Sequence, residues 1–176
     1  DMCSLTLSYL NFINQESINA PNTIIELAKK MRDYGVIPGL ECFDLGLINF
    51  GKYIIRKNIF DGHFYWNLLF GNIAGMQSDF SHIGAAIKEI PEGHFIGLAG
   101  LAENQLPINS ISIAMGYGVR VGLEDNIWLN RGKNKLATNS ELLSRVHLLM
   151  EIHDRELFTS EELGHLGFYN KKKCIA

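Results

Sequence analysis

Apolar residues recur along this chain in two rhythms, a short period of two and a longer one of three to four, and the rhythms take turns. Residues 4–12 read as a strand, and Asn14 to Asn22 as a mostly polar loop. Thr23-Ile24-Ile25-Glu26 has the pattern of a capping box that opens a helix. Ile24, Leu27, Ala28 and Met31 give that helix one apolar face, and Gly35 ends it. Residues 39–44 form a second strand, followed by a helix with Ile48, Ile54 and Ile55 that runs to about Lys57. His63 to Phe70 is a third, aromatic strand, and Gly71-Asn72-Ile73-Ala74-Gly75 is the loop after it. Ser78 caps a helix with Phe80, Ile83, Ile87 and Ile90 at helical spacing, and Pro91-Glu92-Gly93 turns the chain into a fourth strand, His94 to Gly100. A helix over 105–116 leads into a fifth strand over 118–124. Asn139 caps the last long helix, whose apolar residues are Leu142, Leu143, Val146, Leu149 and Met150. Thr159-Ser160-Glu161-Glu162 starts a short final helix, and the lysine-rich tail 169–176 reads as frayed.

Strand-then-helix units in series predict parallel strands with helical crossovers, hence an α/β fold. The expected sheet is curved and open, with its helices on the outer face and with the strands near 4–12 and 118–124 unpaired at its edges. Active sites of such folds gather at the C-terminal ends of the strands.

Composition narrows the class. With 47% hydrophobic and 20% charged residues among 176, residues 1–176 read as one globular domain. A formal charge of -3 carries no basic footprint for nucleic acid. Cys3, Cys42 and Cys174 are odd in number and far apart, with neither metal spacing nor a disulfide framework, which fits a reducing, cytoplasmic compartment. No apolar run approaches the about 18 residues of a membrane span, and no signal peptide is legible. The chain opens without Met directly into an apolar stretch, as a chain cut in mid-domain does.

The candidate chemistry lies at the end of the fifth strand. Val119, Val121 and Leu123 alternate between Gly118 and Gly122, and the strand runs out into Glu124-Asp125-Asn126. Adjacent carboxylates repel, so they need a cation between them, and Arg120 or a metal could supply it. The rival reading is a strand running into a polar turn.

Arg120 to Asn126 resembles the last barrel strand of the beta-keto acid cleavage enzymes. Ser4-Leu5-Thr6 with Asn11-Phe12, Leu40 to Asp44, Phe70 to Gly75 and Gln105-Leu106-Pro107 resemble earlier strand-end motifs of that family, in family order, over the chain to about residue 167. The resemblance implies a (β/α)8 TIM barrel, of which this chain supplies about the last five β/α units; such barrels need about 250 residues. It also implies acetyl-CoA as co-substrate, a small β-keto acid as substrate, and a divalent metal, usually Zn²⁺, held by an early His-x-His pair and a later glutamate. Glu124 matches that glutamate, and Asp125 the general base. Arg120 matches the arginine that holds the substrate carboxylate or oxyanion, and Glu41 a pocket carboxylate. Thr6, Asn72 and Gln105 fall at substrate-binding positions.

None of His63, His82, His94, His147, His153 and His165 forms a His-x-His pair, so the expectation for these residues alone is no zinc site. Rival readings remain for single residues: Arg120 as a structural partner of Asp44 or Glu41, and Thr6 as a β-former. Ser8-Tyr9 departs from the family's Gly-Ser, which could narrow the pocket. Ala102-Glu103-Asn104-Gln105 departs from Gly-Arg-x-Gln, which leaves a phosphate or CoA contact without its arginine. The implied reaction turns a β-keto acid and acetyl-CoA into acetoacetate and a new acyl-CoA, a transferase step that belongs to amino-acid catabolism such as lysine fermentation. Two alternatives stand beside it: another metal-dependent TIM-barrel aldolase or lyase, and an inactive fragment. Open sheet edges further predict a homo-oligomer.

Overall fold

The structure, a computed structural model, describes residues 1–11, 16–60 and 62–169. The end of the first expected strand, the start of the loop from Asn14 and the tail beyond Tyr169 lie outside the described residues.

Five strands form one parallel sheet: β1 (Met2–Thr6), β4 (Ile37–Cys42), β5 (Tyr65–Phe70), β6 (Phe95–Gly100) and β7 (Gly118–Arg120). They lie side by side in chain order, with β1 and β7 at the edges. Between β1 and β4 a small antiparallel pair, β2 (Leu10–Asn11) with β3 (Glu16–Ser17), replaces the continuation of the first strand expected from the sequence. Each crossover carries a helix: α1 (Pro21–Asp33), α2 (Leu45–Arg56), α3 (Phe80–Glu89) and α4 (Gln105–Met115). After β7 come α5 (Asn139–Ile152) and the short α6 (Ser160–Leu163), which widens into a turn over Gly164–Phe168.

Alternation decides which side of each strand meets the helices. β4 alternates half-buried and buried positions, with Pro38, Leu40 and Cys42 facing the helices. β5 is more completely covered, and its Trp66, Leu68 and Phe70 are fully buried. Together with Leu5, Ile24, Ile48, Ile54, Ile83, Leu98 and Ile108 they form the core between sheet and helix layer. At about 25 cal/mol per Å² of apolar surface, this burial is the main favourable contribution to folding.

Helix starts differ from expectation in instructive ways. α1 begins at Pro21 with no side-chain cap, because Pro at the first turn has no N–H to satisfy; Thr23 is inside the helix. Asp79 rather than Ser78 caps α3, accepting from the His82 N–H. Thr138 rather than Asn139 caps α5 through a reciprocal capping box with Glu141. The short final helix starts where the sequence suggested, and Thr159 and Glu162 form a second such box at its start. α4 ends at Gly116, φ 83°, a left-handed position that suits glycine. Ser112 on α4 donates to the Gly118 carbonyl at 2.6 Å, which ties this helix to the edge strand β7. That strand stops at Arg120, three residues sooner than the Val119-Val121-Leu123 alternation implied, because a turn over Gly122–Asn126 takes over.

Candidate active site

The parallel register lays out the site. Thr6 pairs with Glu41, Glu41 with Asn67, Asn67 with Gly97 and Ala99 with Arg120. Thr6, Glu41 and Arg120 therefore stand at or next to the C-terminal ends of three strands, with Asn67 further back along β5, all on the sheet face opposite the helix core. Gly97 and Gly118 leave room on this face for the Tyr65 side chain; a Cβ would lie 2.1 Å from its hydroxyl oxygen at Gly97 and 2.5 Å from it at Gly118. Phe168 packs edge-on against Tyr65 and Phe95. Burial of the Tyr65 phenol pushes its pKa up.

Arg120 gathers the carboxylates. Its Nε and Nη2 donate to the two oxygens of Asp125 at 2.9 and 3.0 Å, a bidentate grip. Nη1 donates to Glu41 Oε1 at 2.8 Å, and Nη2 lies 3.0 Å from Glu124 Oε2. Thr6 Oγ1 donates to the other Glu41 oxygen at 2.9 Å. The Asp125 side chain is only 4% exposed and that of Glu41 13%, whereas Glu124 is 83% exposed. Burial works against the charged guanidinium, but its hydrogen bonds to Asp125 and the negative charges of Asp125, Glu124 and Glu41 outweigh it and raise the Arg120 pKa. The structural pair of Arg120 with Glu41 is present, and the same guanidinium is the cation beside the strand-end carboxylates. Asp44, the other partner considered, instead caps α2 through the Leu47 N–H.

The remaining site candidates are placed differently. Asn72 is buried, but its Oδ1 accepts from the Ala74 N–H, so the side chain closes its own turn; among the described residues no hydrogen bond joins it to Arg120. Gln105 is fully buried at the start of α4, and its Nε2 donates to the Gly122 carbonyl at 2.9 Å. It steadies the turn that carries Glu124 and Asp125. Ala102, at φ 51°, donates its N–H to the Asp125 carbonyl, so a strained residue after β6 helps to hold the same turn.

Two residues escaped the sequence reading. Asn67 is buried, and its Oδ1 has no hydrogen-bond partner among the described residues. It shares with Glu41, Tyr65 and Ser4 a cavity of about 220 Å³. The signal was present, an amide in the apolar run Tyr65-Trp66-Asn67-Leu68-Leu69-Phe70. Asn104 accepts from Ser78 at 2.6 Å and lies against Gly71, fastening the loop after β5 to the turn after β6.

A metal finds few donors in this set. Among the described residues no group of three His, Cys, Asp or Glu side chains is placed to hold one. Glu41 and Asp125 are engaged by Arg120, and Glu124 alone is a single carboxylate, whereas zinc sites take three or four protein ligands rich in nitrogen and sulfur. These residues do not by themselves fit a zinc centre.

The chain belongs to the beta-keto acid cleavage enzyme family, whose model matches residues 1–166. It is 27% identical over 165 residues to a 3-dehydrocarnitine:acetyl-CoA trimethylamine transferase of Rhizobium meliloti, covering 93% of this chain and 54% of that protein. It is 29% identical over 163 residues to a 3-keto-5-aminohexanoate cleavage enzyme of Fusobacterium nucleatum, covering 92% and 59%. It is 30% identical over 164 residues to a 3-oxoadipate:acetyl-CoA acetyltransferase of Cupriavidus necator, covering 90% and 57%. The chain thus spans between half and three-fifths of the length of these relatives. The solved apo structure of ObcA shares the fold, with a TM-score of 0.74 at 16% identity over 94% of this chain and 44% of that one. Among the described residues no helix is long and apolar enough to cross a membrane.

Proposed function

We propose that residues 1–176 supply the last five β/α units of a (β/α)8 barrel whose cleft cleaves a small β-keto acid with acetyl-CoA. The observation that carries this reading is the grip of Arg120 on Asp125 and Glu41 at the C-terminal ends of strands far apart in sequence, in a chain of this family. The chemistry is a Claisen-type exchange. The α-carbon of the keto acid loses a proton, bonds to the acetyl carbonyl, and expels CoA thiolate. The thiolate then adds to the original keto carbon, the bond between that carbon and the α-carbon breaks, and the α-carbon takes back the proton, giving acetoacetate and a new acyl-CoA. Asp125 is the general base: Arg120 occupies one side of each oxygen and leaves lone pairs for a substrate C–H. Arg120 stabilises the enolate or carboxylate charge, and Glu41, steadied by Thr6, orients Arg120 and the substrate. Asn72 and Gln105 shape the rim that substrate meets, through the loops they fasten. A divalent metal, with Glu124 as this chain's ligand, would need its remaining ligands from outside these residues, so no step is assigned to it.

The test is an assay of the completed barrel with 3-oxoadipate, 3-dehydrocarnitine or 3-keto-5-aminohexanoate, each with and without acetyl-CoA. Loss of keto acid only when acetyl-CoA is present supports the reading. Cleavage without acetyl-CoA would instead point to an aldolase or lyase, and no cleavage in either arm to an inactive protein.

A further inference from the structure

Beyond the carboxylate cluster, the chain builds a second cleft whose residues have no role in the steps just described. Residues 127–137 fold back on themselves: Trp128 bridges Leu136, the Leu129 N–H donates to the Lys135 carbonyl, and the Ala137 N–H to the Ile127 carbonyl. The tip of this loop carries Arg131 and Lys133, and Lys133 reaches across to Glu103 at 3.1 Å. The cleft beneath measures about 870 Å³, large enough for a ligand of cofactor size. Arg131, Lys133 and Arg145 line it against one acid, Glu103, which leaves two excess positive charges. Arg145 Nη1 donates to the Leu129 carbonyl at 2.7 Å, but its buried Nη2 has no partner among the described residues. Desolvation without a paired anion pushes the Arg145 pKa down. Arg131 is exposed and makes no ion pair among the described residues. Cations held in a cleft without acids to match favour an anionic ligand, and the half-buried indole of Trp128 offers a flat partner for a base.

The cleft adjoins the candidate active site. Asn126, next to Asp125, lines it, as do Glu103 and Asn104 from the turn whose Ala102 N–H holds the Asp125 carbonyl at 2.7 Å. One loop wall therefore separates a cationic cleft from the reacting carboxylate. We propose that this cleft binds the phosphorylated nucleotide end of the CoA thioester, with Trp128 against the adenine and Arg131, Lys133 and Arg145 on the phosphates. The inference rests on the acetyl-CoA-dependent reading above. It adds the site and residues that take the co-substrate, with the thioester end directed past Asn126 to Asp125 and Arg120.

The experiment is a titration of the protein with CoA, followed by tryptophan fluorescence and by calorimetry. Trp66 is fully buried in the core, so a ligand-dependent change in emission reports Trp128. CoA should bind, and pantetheine, which keeps the thiol but has no phosphates, should bind about tenfold more weakly or worse. Arg131→Glu should weaken CoA binding by about tenfold or more without affecting folding, since its side chain is exposed, and added salt should weaken the wild type. Trp128→Phe should remove the emission change while calorimetric binding persists. Equal affinity for CoA and pantetheine, an unchanged Kd in Arg131→Glu, or no binding of CoA would each overturn the assignment. The two proposals fail separately. Arg131-dependent CoA binding without keto-acid turnover leaves the cleft standing and sinks the reaction. Turnover whose KM for acetyl-CoA ignores Arg131→Glu does the reverse.

Discussion

Three carboxylates face one guanidinium at Arg120, which leaves two excess negative charges at the strand ends. Such a cluster is stable only while the arginine is present. Arg120→Ala should lower unfolding stability by about 3 kcal/mol, the lower end for a broken buried pair, because Asp125 and Glu41 would stay buried without a counter-charge; chemical denaturation measures it. Asp125→Asn keeps the volume and should leave the fold intact, while cutting turnover of the completed barrel by about 10²–10⁴-fold. Metal content separates it from Glu124→Gln, which should lose metal first; equal loss in both variants would mean their roles are merged. At this scale the sequence was informative wherever a charge sat among apolar neighbours, as with Glu41 between Leu40 and Phe43 and with Arg120 between two valines. It could not show that Asn72 spends its side chain on its own turn, because an amide in a glycine-rich loop reads the same whether it faces a ligand or its own backbone.

Among the elements, α2 lies unusually close to the sheet. A Cβ on Gly51 would stand 2.6 Å from the Trp66 ring and 2.9 Å from Leu7 Cδ1. Gly51→Ala gains up to about 1 kcal/mol in helix propensity but overpacks a rigid, fully buried indole, which costs about 1–3 kcal/mol. The net effect should be a loss on the order of 1 kcal/mol, visible as a lower Tm. At the opposite end of the strands, the His94 ring accepts from the Phe64 N–H, and burial, with a smaller contribution from His63, lowers its pKa. Below its unfolded value of about 6.5 the unfolded chain takes up a proton that the folded ring resists. Stability should therefore begin to fall as pH drops through about 6.5 and stop falling below the folded value. His94→Asn, which keeps an acceptor for Phe64, should show a smaller drop in Tm between about pH 7.5 and about pH 5.5. The order and type of the main elements were legible from periodicity, whereas helix starts were not. Thr138 and Asn139 are both good caps, and only the reach of Glu141 back to the Thr138 N–H decides between them.

At the scale of the whole molecule, the parallel sheet has two open edges among the described residues, β1 and β7, with Met2 and Cys3 exposed on the first. Unpaired edges template further pairing. The protein should therefore run on size exclusion with light scattering above the 19.8 kDa of one chain; a clean monomer would show that the edges are protected in another way. Strand order was readable because right-handed crossovers of this length place successive strands side by side. Closure was not, because neither alternation nor crossover length in these units says what meets the edges β1 and β7. The central claim, that the Arg120 cluster performs an acyl exchange between a keto acid and acetyl-CoA, is tested most directly by label transfer. The completed barrel is given a β-keto acid with acetyl-CoA labelled in the acetyl group, and the acetoacetate is analysed by mass and by carbon NMR. The account predicts the label at the keto and methyl carbons of acetoacetate, none in the new acyl-CoA, and a fall of about 10²-fold or more in labelled product with Asp125→Asn. Label in the new acyl-CoA, or labelled acetoacetate formed equally fast by Asp125→Asn, would contradict it.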